Sequence, residues 1–146
     1  MKAVIQVVDN ASLSVDDKIV SKIGKGMVVY FCVEKGDNEE KLPFFAKKLA
    51  NLRIFPDENG KTNLSVKDIG GEVLLVSQFT LAGDCEHGNR PSFIAAELPE
   101  KAEEFYLKLA KMLEKDYLLP VKLGVFGADM TILQENKGPF TIILDK

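Results

Sequence analysis

Three polar side chains, Ser77, Gln78 and Thr80, follow four consecutive apolar residues at 73–76, inside a stretch punctuated by Gly70-Gly71 before it and Gly83-Asp84 after it. The apolar run reads as a buried strand. A buried hydroxyl or amide left without a partner costs about 1–3 kcal/mol. These groups therefore either satisfy backbone at a strand end or meet a ligand. A second polar interruption, Asn136-Lys137-Gly138-Pro139-Phe140-Thr141, separates the apolar runs 130–133 and 140–144. Taken by itself, Gly-Pro between two strands reads as a turn, because proline lacks a ladder donor and fixes its own φ.

The familiar hydrolytic constellations are missing. Ser77 lies in Leu75-Val76-Ser77-Gln78-Phe79, with glycine at neither flanking position that a nucleophile elbow requires. Thr80 has no adjacent base, and a threonine hydroxyl without one is a poor nucleophile. The single histidine, His87, stands in a polar loop beside Asp84 and Cys85. That trio offers three metal ligands at crowded spacing and no distant fourth, so neither a metal nor another cofactor is expected.

Ser77-Gln78-Phe79-Thr80, followed by Asn136-x-Gly138-Pro139-x-Thr141 with Arg90-Pro91-Ser92-Phe93 and Phe126-Gly127-Ala128-Asp129-Met130 between them, resembles the D-aminoacyl-tRNA deacylases over nearly the whole chain. The resemblance implies hydrolysis of the ester that joins a D-amino acid to the 3′-terminal adenosine of tRNA, with leakage of achiral glycyl-tRNA and rejection of L-aminoacyl groups. It implies that Ser77 and Gln78 hold the adenosine or fix the loop, and that the backbone of Phe79 and Thr80 supplies oxyanion donors. The Phe79 side chain, coming after an apolar run, is expected in the core. Gly138 and Pro139, joined by a cis peptide, are expected to offer carbonyl acceptors to the substrate's α-ammonium in the partner subunit of a homodimer. Asn136 and Thr141 would hold that loop, with Met130 near the aminoacyl pocket and Phe140 opening the strand beside the interface. The match departs at Val7, where the family usually carries arginine, and at Lys137, where an acidic residue is frequent.

The elements that must position these groups follow from periodicity. The 146 residues suit one domain, 1–146. Apolar runs and turn signals predict strands near 4–8, 12–15, 18–23, 27–33, 52–55, 73–76, 121–126, 130–135 and 140–144. Helices are expected from a cap at Asp37 or Asn38 to about Asn51, and from about Pro99 to Lys115, each with an apolar stripe. The fold class is α+β: a largely antiparallel sheet curled towards a barrel, with two main helices.

Composition limits the partners. A net charge of −3 argues against sequence-blind wrapping of nucleic acid, and no DNA partner is expected. It leaves room for a local rim on one RNA end, with Lys22, Lys25, Lys47, Lys48 and Arg90 as the cations available. No membrane-length apolar run or secretory leader is visible, and two distant cysteines make no disulfide framework, so the chain reads as cytoplasmic.

Overall fold

The computed structural model describes residues 1–146. The chain opens with β1 (Lys2–Val15), which turns at Asp16-Asp17 into β2 (Lys18–Ile23). Both turn residues have positive φ, 48° and 60°, the twist that lets a two-residue hairpin match its strands. β3 (Gly26–Cys32) returns along β1, then α1 (Leu42–Asn51), β4 (Phe55–Pro56), β5 (Thr62–Leu64), β6 (Glu72–Ser77), α2 (Pro99–Tyr117), β7 (Val121–Leu123) and β8 (Thr131–Asp145) complete the order.

The long strand β1 organises the sheet. Along one edge it pairs antiparallel first with β3, from Lys2 to Val8, and then with β2, from Ala11 to Val15. Its other edge is covered antiparallel by β8 from Lys2 to Ser14. β6 adds to β3 in parallel, and β7 to β6 in parallel, so the sheet is mixed. Parallel pairs need crossovers, and α1 and α2 are the helices in those two connections. The Ser21 hydroxyl donates to the Leu123 carbonyl at 2.6 Å, which ties β2 to β7 and nearly closes the curl.

The alternation of strand side chains builds two cores. Ala3, Ile5 and Val7 of β1, Met27, Val29 and Phe31 of β3, and Val73 and Leu75 of β6 face α1 and α2, where Phe45, Leu49, Leu109 and Leu113 meet them. The opposite face, inside the curl, packs Val8, Ala11, Leu13, Val28, Leu74 and Val76. Val28 and Val29, and Leu74 and Leu75, thus point into different cores, which is why β3 and β6 read as apolar on every position.

Several expected boundaries move. The residues before α1 form a one-turn 3₁₀ helix, Glu39–Lys41, and Asn38 makes no side-chain cap. Asp37 instead accepts from the Met1 ammonium at 2.7 Å and from Lys41 at 2.5 Å. The strand expected at 52–55 is confined to Phe55–Pro56, and that expected at 121–126 ends at Leu123. The two C-terminal strands are one, β8, and Gly138-Pro139 lies within it as a cis peptide rather than in a turn between partners. β8 keeps β1 as its neighbour on both sides of this interruption. Gln6 stands opposite Thr141 and Val8 opposite Asn136, so four residues of β8 bulge across from Val7.

Candidate functional site

β6 ends at Ser77, and the chain enters a one-turn 3₁₀ helix, Phe79–Ala82. The Gln78 amide still donates to the Phe31 carbonyl at 2.8 Å, which anchors the exit to β3. The amides of Phe79 and Thr80 then begin the turn, where a helix leaves its N–H groups without intrahelical acceptors. Ser77 and Gln78 are half-buried and Thr80 is exposed, so the polar triplet sits at a rim rather than inside a dry strand. Gln78 Nε2 donates to Thr80 Oγ1 at 2.5 Å, an internal tie across the rim.

The rim opens on a cavity of about 520 Å³ lined by Phe31, Cys32, Ser77, Gln78 and Phe79 on one side and by Phe126, Ala128, Asp129, Met130 and Ile132 on the other. Its far wall is the segment leading into α2 and the helix itself, through Ala96, Glu97, Ala102 and Tyr106. That wall is fixed to the end of β3, because Lys35 N donates to the Ala95 carbonyl at 2.8 Å and Glu97 N to the Val33 carbonyl at 3.0 Å. Tyr106 donates its hydroxyl to the Leu75 carbonyl at 2.8 Å, and burial pushes its phenol far above the usual range. Gly124 makes room for Met130: a Cβ there would meet Met130 Sδ at 2.9 Å.

Phe79 departs from its expected place in the core. It is 58 % exposed at the cavity mouth and rests edge-on against Phe93, with ring centroids 5.2 Å apart. The apolar run at 73–76 stops at the strand end, and the backbone turn at Gln78 carries the next ring outward.

Two titratable groups in the cavity wall, Cys32 and Glu97, are poor bases or nucleophiles. Burial pushes the Cys32 thiol up to about 11, so it is neutral near pH 7. Glu97 is held below the usual carboxylate range, first by its bond from Lys101 and then by the Leu98 amide. Asp84, next to Cys85 and near His87 in the sequence, accepts the Glu86 amide at 2.8 Å, and no group of three or more histidine, cysteine or carboxylate side chains is placed to hold a metal. What the site offers is shape, backbone donors and half-buried hydroxyl and amide groups.

Of the residues expected from sequence, Ser77, Gln78, Phe79 and Met130 line this cavity, and Thr80 joins them through Gln78. Asn136, Gly138, Pro139, Phe140 and Thr141 do not; they lie on the β8 bulge, where residues 136–139 are exposed. The cavity residues of α2 escaped the sequence reading because Tyr106 belongs to the same apolar stripe as Leu109 and Leu113, and a stripe does not reveal which member borders a void.

A family model described as D-Tyr-tRNA(Tyr) deacylase matches residues 4–145. A D-aminoacyl-tRNA deacylase of Persephonella marina is 52% identical over 145 residues, covering 99% of this chain and 97% of that one. Among solved structures, a c-Myc DNA unwinding element binding protein superposes with a TM-score of 0.93 at 42% identity, over 100% of this chain and 99% of that one. A probable eukaryotic D-amino acid tRNA deacylase shares the fold with a TM-score of 0.85 at 19% identity, over 99% of this chain and 98% of that one. The chain belongs to the D-aminoacyl-tRNA deacylase family.

Proposed function

We propose that this chain hydrolyses the ester of D-aminoacyl-tRNA in the cytoplasm, freeing tRNA and a D-amino acid, and that it does so without a side-chain acid–base pair. The observation that carries this reading is the rim at residues 77–80, where Ser77, Gln78 and Phe79 line the cavity and Thr80 adjoins them through its bond from Gln78. Ester cleavage passes through an oxyanion, and a single preorganised donor to such an anion is worth roughly 10²–10³ in rate. The amides of Phe79 and Thr80 would hold the oxyanion, while the vicinal 2′-hydroxyl of the terminal adenosine activates water. Met130 would border the aminoacyl group. L-Substrates would be refused because their side chain has nowhere to go, a repulsive device rather than an added contact. Glycyl-tRNA, being achiral, would pass.

The Gly138-Pro139 carbonyls would receive the substrate's α-ammonium in a second copy of the chain. Two observations support this. The bulge does not reach its own protomer's cavity, and β8 has a free outer edge along its 15 residues. A two-fold homodimer would present the bulge of each copy to the cavity of the other.

Incubation with D-tyrosyl-tRNA, L-tyrosyl-tRNA and a simple aryl ester tests the proposal. The first is expected to be cleared and the other two spared. Equal clearance of both tRNAs, or activity on the aryl ester alone, would overturn it. Tight binding of tRNA with no hydrolysis would favour a non-catalytic tRNA- or nucleotide-binding domain. A monomer active at full rate would remove the partner's role.

Binding should depend only weakly on salt. The chain carries 22 acidic against 19 basic residues, and Lys2, Lys41, Lys101, Lys108 and Lys137 are each paired with a carboxylate, so its net charge of −3 gives no broad basic surface. Two or three phosphate contacts give a slope of log affinity against log salt of about −2. A titration between low and physiological salt that lost several orders of magnitude would reveal a basic groove and count against this.

A further inference from the structure

The bulge at 137–140 has no matching residues on β1, so the backbone ladder that fixes the rest of β8 cannot fix it. Side chains take over at its two ends. Gln134 Nε2 donates both to Asn136 Oδ1, at 2.8 Å, and to Gln6 Oε1, at 2.7 Å. Gln6 Nε2 in turn points to Thr141 Oγ1 at 3.4 Å. Gln134 Oε1 accepts from the Tyr30 hydroxyl at 3.1 Å. Both hydrogens of the Gln134 amide are thus committed, one towards the residue before the bulge and one, through Gln6, towards the residue after it.

Tyr30 is the fixed end of this chain of bonds. It lies on β3, opposite Val4, and packs against the core inside the curl together with Met130 and Ile132. Met130 and Ile132 also line the cavity. The same buried surface therefore seats the cavity floor and the post to which the bulge is tied.

We infer that Gln134 and Tyr30 are positioning residues: a Tyr30–Gln134–Gln6 relay brackets the Gly138-Pro139 bulge and sets where its carbonyls stand. The functional half rests on the deacylase reading above; the structural half does not. Asp9, which pairs with the exposed Lys137 at 3.1 Å, adds a tie at the tip, but an exposed pair of this kind contributes little. The relay is half-buried, and its members act as a unit, so their effects should not add.

Hydrogen exchange followed by peptide mass spectrometry tests the relay in the full-length protein. Gln134→Leu is expected to speed exchange about tenfold in the peptide spanning 136–141, and Tyr30→Phe about threefold, while the β3 peptide spanning 26–32 stays as in the parent. Tyr30→Phe added to Gln134→Leu should give no further increase. Unchanged exchange at 136–141 in Gln134→Leu, or equal acceleration in both peptides, would overturn the inference, the latter because it marks a general loss of stability. The ratio of D- to L-tyrosyl-tRNA hydrolysis is expected to fall about tenfold in Gln134→Leu. Faster bulge exchange with an unchanged ratio would overturn the positioning role. A parent protein that hydrolyses neither tRNA would remove the deacylase reading, and the exchange data would still decide the relay.

Discussion

Thr80→Ala should retain at least about a tenth of the parent's kcat/KM on D-tyrosyl-tRNA, whereas a substrate ending in 2′-deoxyadenosine should lose about 10²–10³ of it, the scale set by removing one group that acts on the transition state. The contrast decides between two mechanisms. A nucleophilic Thr80 needs a base to take its proton, and its hydroxyl oxygen instead accepts from Gln78 Nε2 at 2.5 Å. Of the ionisable groups lining the cavity, Cys32 and Glu97 are unsuited to that role, and Asp129 makes no hydrogen bond to Thr80. Cys32 is neutral because burial pushes its thiol up to about 11, and Glu97 is stabilised as a weakly basic carboxylate by Lys101. Removing the Thr80 hydroxyl deletes one bond across the rim, and a neutral bond is worth about 0.5–1.5 kcal/mol. Most of a tenfold loss is then the upper bound for the variant. Single-turnover rates on the two substrates settle the matter: an inert Thr80→Ala together with normal cleavage of the deoxy substrate would make Thr80 the nucleophile.

The reason Ser77–Thr80 was legible from sequence, while Tyr30, Gln134 and Gln6 were not, is physical. Ser77, Gln78 and Thr80 break an apolar run, and such a break must be answered by some partner. Gln6 and Gln134 sit in strands that alternate, where a polar residue every second position is the ordinary solvent face. Only the register of β1 against β8 shows that these two meet, and only the curl of the sheet turns Tyr30 towards them. The parallel addition of β6 to β3 was equally invisible, because a strand buried on both faces reads alike in either direction. Phe79 failed for a different reason. Its neighbours 73–76 are buried, but the strand ends two residues before it, and a period of two cannot be extended past the end of its strand.

The same parallel join carries the largest stability prediction. Gly26 and Glu72 stand opposite each other where β3 meets β6, and Val8 of β1 is Gly26's other neighbour. A Cβ on Gly26 would lie 1.9 Å from the Glu72 carbonyl oxygen and within 2.8 Å of two more backbone atoms of that residue. No rotamer change relieves a clash with backbone, so β3 and β6 must part. Overpacking within a core usually costs about 1–3 kcal/mol, and here the obstacle to a side chain on the buried Gly26 is the main chain of Glu72, so Gly26→Ala should cost about 3 kcal/mol or more. That is a large share of the ~5–15 kcal/mol available to a domain of this size. Gly60→Ala is the control: nothing lies within 4 Å of its Cβ position, and only its φ of +74° is unfavourable. A left-handed residue costs about 1–2 kcal/mol. Urea midpoints of the two variants should therefore separate clearly, with Gly26→Ala far lower. Because the register runs unbroken from Gly26 and Glu72 to Phe31 and Ser77, a displaced join also shifts Ser77 at the cavity rim. Deacylation by whatever Gly26→Ala protein remains folded should fall with it, and a variant with the parent's midpoint and rate would show that the strands can separate at no cost.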